Sequence, residues 1–248
     1  LNRSSDASRR GLSKGALAVY CGFAILFAGF TALGIWQVQR LFWKLDLIEQ
    51  VNTRVLAQPV PAPLPQVPVT RADDQYRRVE VRGQYDHSKE SRVKAVTELG
   101  AGYWVMTPLT TDQGFSVLIN RGFVPPEKAE PTTRPEGQVT GDQTVIGLLR
   151  ITEPGGGFMR DNDPQAGRWF SRDVELIMAT QQVPGPHAAY FIDAGASDLK
   201  WPRGGMTVVK FANSHLVYAL TWFGLAGMSL FGLWLFVREQ GRRRRGAA

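Results

Sequence analysis

The chain has 248 residues, 44% of them hydrophobic, and a formal net charge of +7. Its single cysteine, Cys21, excludes an intrachain disulfide, and the lack of a Cys pair or Met cluster argues against copper carriage. The charge looks like that of a nucleic-acid binder until it is mapped: all of it lies at the two ends, so no nucleic-acid partner is expected.

Residues 1–14 carry Arg3, Arg9, Arg10 and Lys14 against Asp6, a balance of +3. This basic tail faintly resembles a twin-arginine export signal, but the apolar run after it is too long for a signal core and lacks a small-residue cleavage site. An uncleaved anchor is the better reading. Residues 15–39 contain no formal charge and exceed the roughly 20 residues that span a bilayer core, which predicts a first transmembrane helix. Within it Ala24, Ala28 and Ala32 form a small-residue ridge suited to close helix approach. Helical spacing continues out of the apolar run to about Asn52.

A proline-rich strap follows at residues 59–68, extended and stiff because alternating prolines forbid helix. The region 40–210 holds 20 basic and 20 acidic residues, and its short alternating runs separated by turn signals predict a β-rich domain. Residues 76–85 read as a strand, with the turn Asp86-His-Ser-Lys89 leading to residues 92–96 as its antiparallel partner. Residues 103–109 and 115–123 form a hairpin, 144–152 another strand, and 173–182 a short helix with Val174, Ile177 and Met178 on one face. Residues 189–193 and 206–211 close the sheet. Without a βαβ rhythm, the expected fold class is an α+β membrane protein: two transmembrane helices flanking a mainly antiparallel β sheet or small barrel with one short helix.

The second uncharged run, residues 211–237, predicts another span, and residues 238–248 form a second basic tail with a balance of +4. Basic residues at both ends place both termini in the cytoplasm and the domain outside, by the positive-inside tendency.

His215 is the most informative residue in this frame. An ionisable side chain at a bilayer boundary needs a partner or a task. His215, Tyr218 and Trp222 share a helix face, and Trp36, Gln37 and Arg40 lie at similar depth on the opposing span. One reading is a haem site, with His215 ligating iron, Trp36, Trp222 and Tyr218 packing on the macrocycle, and Arg40 or Lys210 pairing with propionates. The other is an aromatic belt, with Asn213 or Ser214 as helix cap and His215 in its polar first turn. The remaining candidates carry less. His87 falls in a solvated turn and His187 in a loop. Gly155-Gly-Gly157 lacks the Lys-Ser/Thr of a phosphate loop. Asp161-Asn-Asp163 begins like a calcium loop but has Arg172 at the twelfth position and reads as a surface turn.

Six segments in order carry a family likeness: Leu33-Gly-Ile-Trp-Gln37 with Arg40, Val81-Arg-Gly-Gln-Tyr-Asp-His-Ser-Lys-Glu90, Asn120-Arg-Gly-Phe-Val-Pro125, Trp169-Phe-Ser-Arg-Asp173, Phe191-Ile-Asp-Ala194, and His215-Leu-Val-Tyr-Ala-Leu-Thr-Trp-Phe223. With the two-span pattern, the chain resembles the Surfeit locus protein 1 family of cytochrome c oxidase assembly factors. The resemblance implies an assembly factor rather than an enzyme, in the bacterial inner membrane with a periplasmic domain. It implies binding of haem a and its supply to the large subunit of a haem–copper oxidase, with haem a synthase as a second partner. The family's implicated histidine falls on His215, its tyrosine on Tyr218 and its patterned glycine on Gly83. A cofactor-free scaffold that stabilises an oxidase assembly intermediate is the alternative.

Overall fold

The uncharged, proline-free run after Lys14 folds as one helix, α1 (Lys14–Leu56), in the computed structural model, which describes residues 14–209 and 211–246. Arg3, Arg9, Arg10 and Lys210, which carry expected charge roles, lie outside the described residues. At 43 residues α1 is about 65 Å long. It runs past Asn52 to Leu56 because nothing breaks it before Pro59, which disfavours helical geometry at the residue ahead of it. A second long helix, α3 (His215–Gly246), ends the described chain. Both helices are long and apolar enough to cross a membrane. Close contacts divide the chain into two units, residues 1–48 with 211–248, and residues 49–210.

The second unit is built on seven strands: β1 (Val60–Pro61), β2 (Arg78–Tyr85), β3 (Ser91–Thr97), β4 (Gly100–Thr111), β5 (Ser116–Val124), β6 (Gln143–Ile151) and β7 (His187–Ala194). They run in the order β1-β2-β6-β7-β5-β4-β3, and β2 also pairs with β4. That extra pairing closes β2, β6, β7, β5 and β4 into a five-stranded barrel, leaving β1 and β3 outside the ring. The seam is short: Gly83 faces Thr111, Gln84 faces Thr110 and Tyr85 faces Leu109. Alternation sets the interior. Val79, Val81, Leu109, Val117, Ile119, Val145, Leu149, Tyr190 and Ile192 form one buried cluster drawn from all five ring strands. The opposite faces of β4, β5 and β7 send Met106, Leu118 and Phe191 into a second cluster with β3 and with α2 (Val174–Thr180). β5 is buried along its whole length, because each of its faces has a core to fill.

The barrel is mainly antiparallel, but β1–β2 and β5–β7 are parallel. The expected pairing of residues 76–85 with 92–96 is not formed. β3 pairs with β4 instead, across the two-residue turn Glu98-Leu99, and Gly100 supplies the positive φ of +99° that closes it. β2 takes β6 and the far end of β4 as neighbours. Residues 206–209 are not a strand either. Every ring strand already has two neighbours, and the pairing of this region is limited to the Phe123–Arg203 bridge. The proline strap is partly strand: Ala62 N donates to Glu80 O at 2.9 Å, and Pro61 sits at the sheet edge where its missing N–H is not needed. The Tyr190 hydroxyl donates to Pro63 O at 2.5 Å and ties the strap to the core.

The short helix α2 begins at an N-cap, Asp173, whose carboxylate accepts from Leu176 N at 3.2 Å, and it buries Val174, Ile177 and Met178. Asp173→Ala is expected to lower domain stability by about 1 kcal/mol in a urea titration of the full chain.

Candidate functional site

The helix pair has a defined register. Tyr20 meets Phe236 edge-on, Phe23 packs on Gly232, and Phe30 stacks on Trp222. The Phe223 ring covers Gly34, Gln37 bonds His215, and Lys44 Nζ lies 5.0 Å from the centre of the Phe211 ring. From Tyr20–Phe236 to Gln37–His215, rising positions on α1 meet falling positions on α3, so the helices are antiparallel. Glycine sits where a ring must enter: a Cβ on Gly34 would be 2.6 Å from Phe223 Cε1, and one on Gly232 2.7 Å from Phe23 Cε1. The alanine ridge does not serve this purpose. Ala24, Ala28 and Ala32 are all exposed, because bulky rings settling onto glycines make this interface.

His215 stands at the first position of α3, directly after Ser214, whose carbonyl accepts from Tyr218 N. Its Nδ1 is 2.8 Å from Gln37 Oε1. An amide oxygen only accepts, so Nδ1 carries the hydrogen. In neutral imidazole that leaves the lone pair on Nε2, which has no hydrogen-bond partner among the described residues. Gln37 is buried and locks the ring, the role that second partners of metal-bound histidines fill.

The other sequence candidates are spread around this pair. Trp222 is half-buried and stacks on Phe30 at 5.8 Å and 24°. Tyr218 and Trp36 are about half exposed, and Arg40 places its guanidinium 4.4 Å over the Trp43 ring. Gln37 and Lys44 carry the geometry that residue-type reasoning underweighted. A buried amide in an otherwise apolar run was the available signal. The donor set offers a single imidazole with exposed aromatic surface beside it, and no group of three or more metal-ligating side chains occurs among the described residues.

The remaining histidines are not free. His87 is half-buried rather than solvated: its Nε2–H donates to Val139 O at 2.8 Å, and its Nδ1 accepts from Arg121 Nη1 at 3.3 Å. Burial lowers its pKa from the usual 6.5, and the Arg121 and Arg134 charges add to this against the opposing pull of the Val139 carbonyl and Glu90. The folded state therefore holds fewer protons at this site than the unfolded chain. The stability it contributes is complete above about pH 6.5 and is lost as pH falls through the depressed folded value. His87→Gln is expected to flatten the pH dependence of unfolding below pH 6.5, read by urea titrations at several pH values. His187 opens β7 instead of lying in a loop, with Nε2 3.2 Å from Glu175 Oε2. The Asp161-Asn-Asp163 segment leads into a turn at residues 164–167: Asn162 Oδ1 accepts from Phe170 N and Ser171 N, and Asp163 pairs with Arg168 at 2.5 Å.

Three of the quoted segments meet in one buried network. Asp193 accepts from Asn120 Nδ2 (2.7 Å), Arg150 Nη1 (2.6 Å), Arg172 Nη1 (3.3 Å) and Thr207 Oγ1 (2.9 Å), and Glu153 takes further bonds from both arginines. A fourth segment supplies Tyr85, His87 and Glu90. Glu90 pairs with the fully buried Arg134, and the Arg121 guanidinium lies 4.8 Å over the Tyr85 ring. These motifs are thus the polar girders of the barrel.

A closed barrel carried in sequence between the two arms of an antiparallel apolar hairpin is an unusual plan, and it sets the class: a barrel-bearing two-helix protein with one oriented imidazole. The model of the SURF1 family matches residues 24–227, and the chain belongs to that family. It is 38% identical to Surfeit locus protein 1 of Homo sapiens, over 93% of this chain and 81% of the relative. It is 39% identical to the Rattus norvegicus protein of that name, over 87% of this chain and 75% of the relative. The Takifugu rubripes protein is 37% identical, over 84% of this chain and 93% of the relative.

Proposed function

We propose that this chain is a membrane-anchored assembly factor for a haem–copper terminal oxidase, and that it carries haem a at the His215 end of its helix pair for insertion into the large catalytic subunit. The observation that carries the reading is the Gln37–His215 bond, which leaves Nε2 open for a metal. His215 would ligate the iron, with Trp36, Tyr218 and Trp222 offering aromatic surface and Arg40 a cation for the propionates. The haem supplies the redox centre of the finished oxidase; the chain's part is to hold and orient it. One imidazole without a second strong ligand suits carriage and release rather than catalysis. Family membership and the two apolar helices support an assembly role at a membrane. Arg238, Arg242, Arg243 and Arg245, at the far end of α3 from His215, support cytoplasmic termini and a periplasmic domain in a bacterial inner membrane. Haem a synthase is a natural donor partner.

The test is an absorbance spectrum of detergent-purified protein from a host that makes haem a. His215→Ala is expected to abolish the haem band, and unchanged occupancy would remove His215 as ligand. Gln37 is a positioning residue. Gln37→Leu is expected to weaken haem affinity about 10-fold or more and to shift the band, and Gln37→Glu to restore both by accepting the same Nδ1–H. A haem-free His215→Ala protein that still restores oxidase assembly in a deletion strain would favour the scaffold role.

A further inference from the structure

The barrel domain has a cavity of about 900 Å³ that the reading above does not use. Its size falls in the range of small-molecule sites. Its floor is the Asp193 network: Asn120, Arg150, Arg172 and Thr207 all converge there on one carboxylate. Because Asp193 and Glu153 each pair with both arginines, the floor is locally neutral, with Arg150 Nε left as a buried donor without a hydrogen-bond partner. The rim differs. Lys200 and Arg203 line it, both exposed, and neither side chain has an ion-pair or hydrogen-bond partner among the described residues. With Arg150 and Arg172 balanced by Asp193 and Glu153, Lys200 and Arg203 are left in the lining against Glu98, so the net charge there is positive. The walls are mixed, and Trp104, Leu99 and Met206 contribute apolar surface to them.

Two classes of occupant follow poorly from this lining. A small inorganic anion would satisfy the rim and leave that apolar surface wet. A wholly apolar ligand would desolvate Lys200 and Arg203 without compensation. The arrangement matches a molecule with an acidic head and an apolar body. We propose that the cavity binds an amphipathic anion, its carboxylate or phosphate held by Arg203 and Lys200 at the rim and its hydrocarbon portion lying against Trp104, Leu99 and Met206. A free fatty acid and a phospholipid share that chemistry. Asn120, Arg172 and Asp193 then act as the floor against which the ligand is seated.

Native mass spectrometry of the full chain, released from detergent, tests this with three probes of equal chain length: laurate, dodecyl phosphate and dodecanol. At least one anion is expected to bind one-to-one and about tenfold or more tighter than dodecanol. The double variant Lys200→Ala/Arg203→Ala changes only exposed side chains and is expected to erase that preference, while Trp104→Ala weakens all three probes. A preference for laurate assigns a carboxylate ligand, and a preference for dodecyl phosphate a phospholipid head. Equal binding of anions and alcohol by the wild type, or an unchanged preference in the double variant, would overturn the proposal. His215→Ala is expected to bind as the wild type does; loss of binding there would move the anion to the helix pair and sink the cavity assignment, whatever becomes of the haem reading.

Discussion

Asp193→Ala is expected to destabilise the barrel domain by about 3–5 kcal/mol, the usual result of removing one partner from a buried charge pair. The carboxylate is 2% exposed and is the acceptor for two arginines, an amide and a hydroxyl. Without it Arg150 and Arg172 keep Glu153, but Asn120 Nδ2 and Thr207 Oγ1 lose a partner. Urea titration of the full chain, followed by tryptophan fluorescence, measures the loss. Asp193→Asn keeps an acceptor oxygen and is expected to lose less. Adding Arg150→Met to Asp193→Ala is expected to recover part of the stability, because it removes the excess cation left when two arginines share Glu153 alone. Additive losses in the double variant would mean that Asp193 acts through something other than these charges.

Gly83→Val is expected to be comparably severe for a different reason. Gly83 lies on the β2–β4 seam, where a Cβ would overlap the Thr110 carbonyl oxygen and lie 2.8 Å from Thr111 Cα. Overpacking against movable side chains costs about 1–3 kcal/mol, and here the obstacle is backbone, so the upper end is expected. The seam is three ladder pairs with one flanking backbone bond at each end, Asp86 N to Pro108 O and Asp112 N to Arg82 O, so it has little to hold it once Gly83 is displaced. Hydrogen exchange should rise first at residues 83–85 and 109–111 in a destabilised but folded variant. Gly29→Ala, which adds a methyl where nothing lies within 4 Å, is the control expected to change neither measurement.

Gly83 also shows what was legible in advance. The family likeness singled it out, but the seam that makes it indispensable pairs residues far apart in sequence, which periodicity does not encode. The same limit explains the misassigned partner of residues 92–96. Strand existence follows from alternation, whereas pairing follows from which turns close, and the two-residue turn at Glu98-Leu99 decided it. Helix properties were more local and read more fully: the face of Val174, Ile177 and Met178 is buried as its spacing demanded. In the helix pair, spacing placed Gln37 near the depth of His215, but only the rotation of each helix selects Gln37 over Trp36 or Arg40 as the imidazole's neighbour. The alanine ridge failed because small residues permit close approach without compelling it, while the rings of Phe23, Phe30 and Phe223 set the contact face.

The interlocked rings of that helix pair have a consequence for how finely the imidazole is aimed. Phe223 seated on Gly34 and Phe23 on Gly232 work like teeth in a rack, so the helices can shift only by whole notches. One alanine inserted between His215 and Trp222 would leave the notches engaged and swing His215 about 100° around α3, away from Gln37. Composition, hydropathy and the imidazole itself would all survive that insertion. The angular setting that opens Nε2 would not, and the chain would be left with a histidine pointing at nothing.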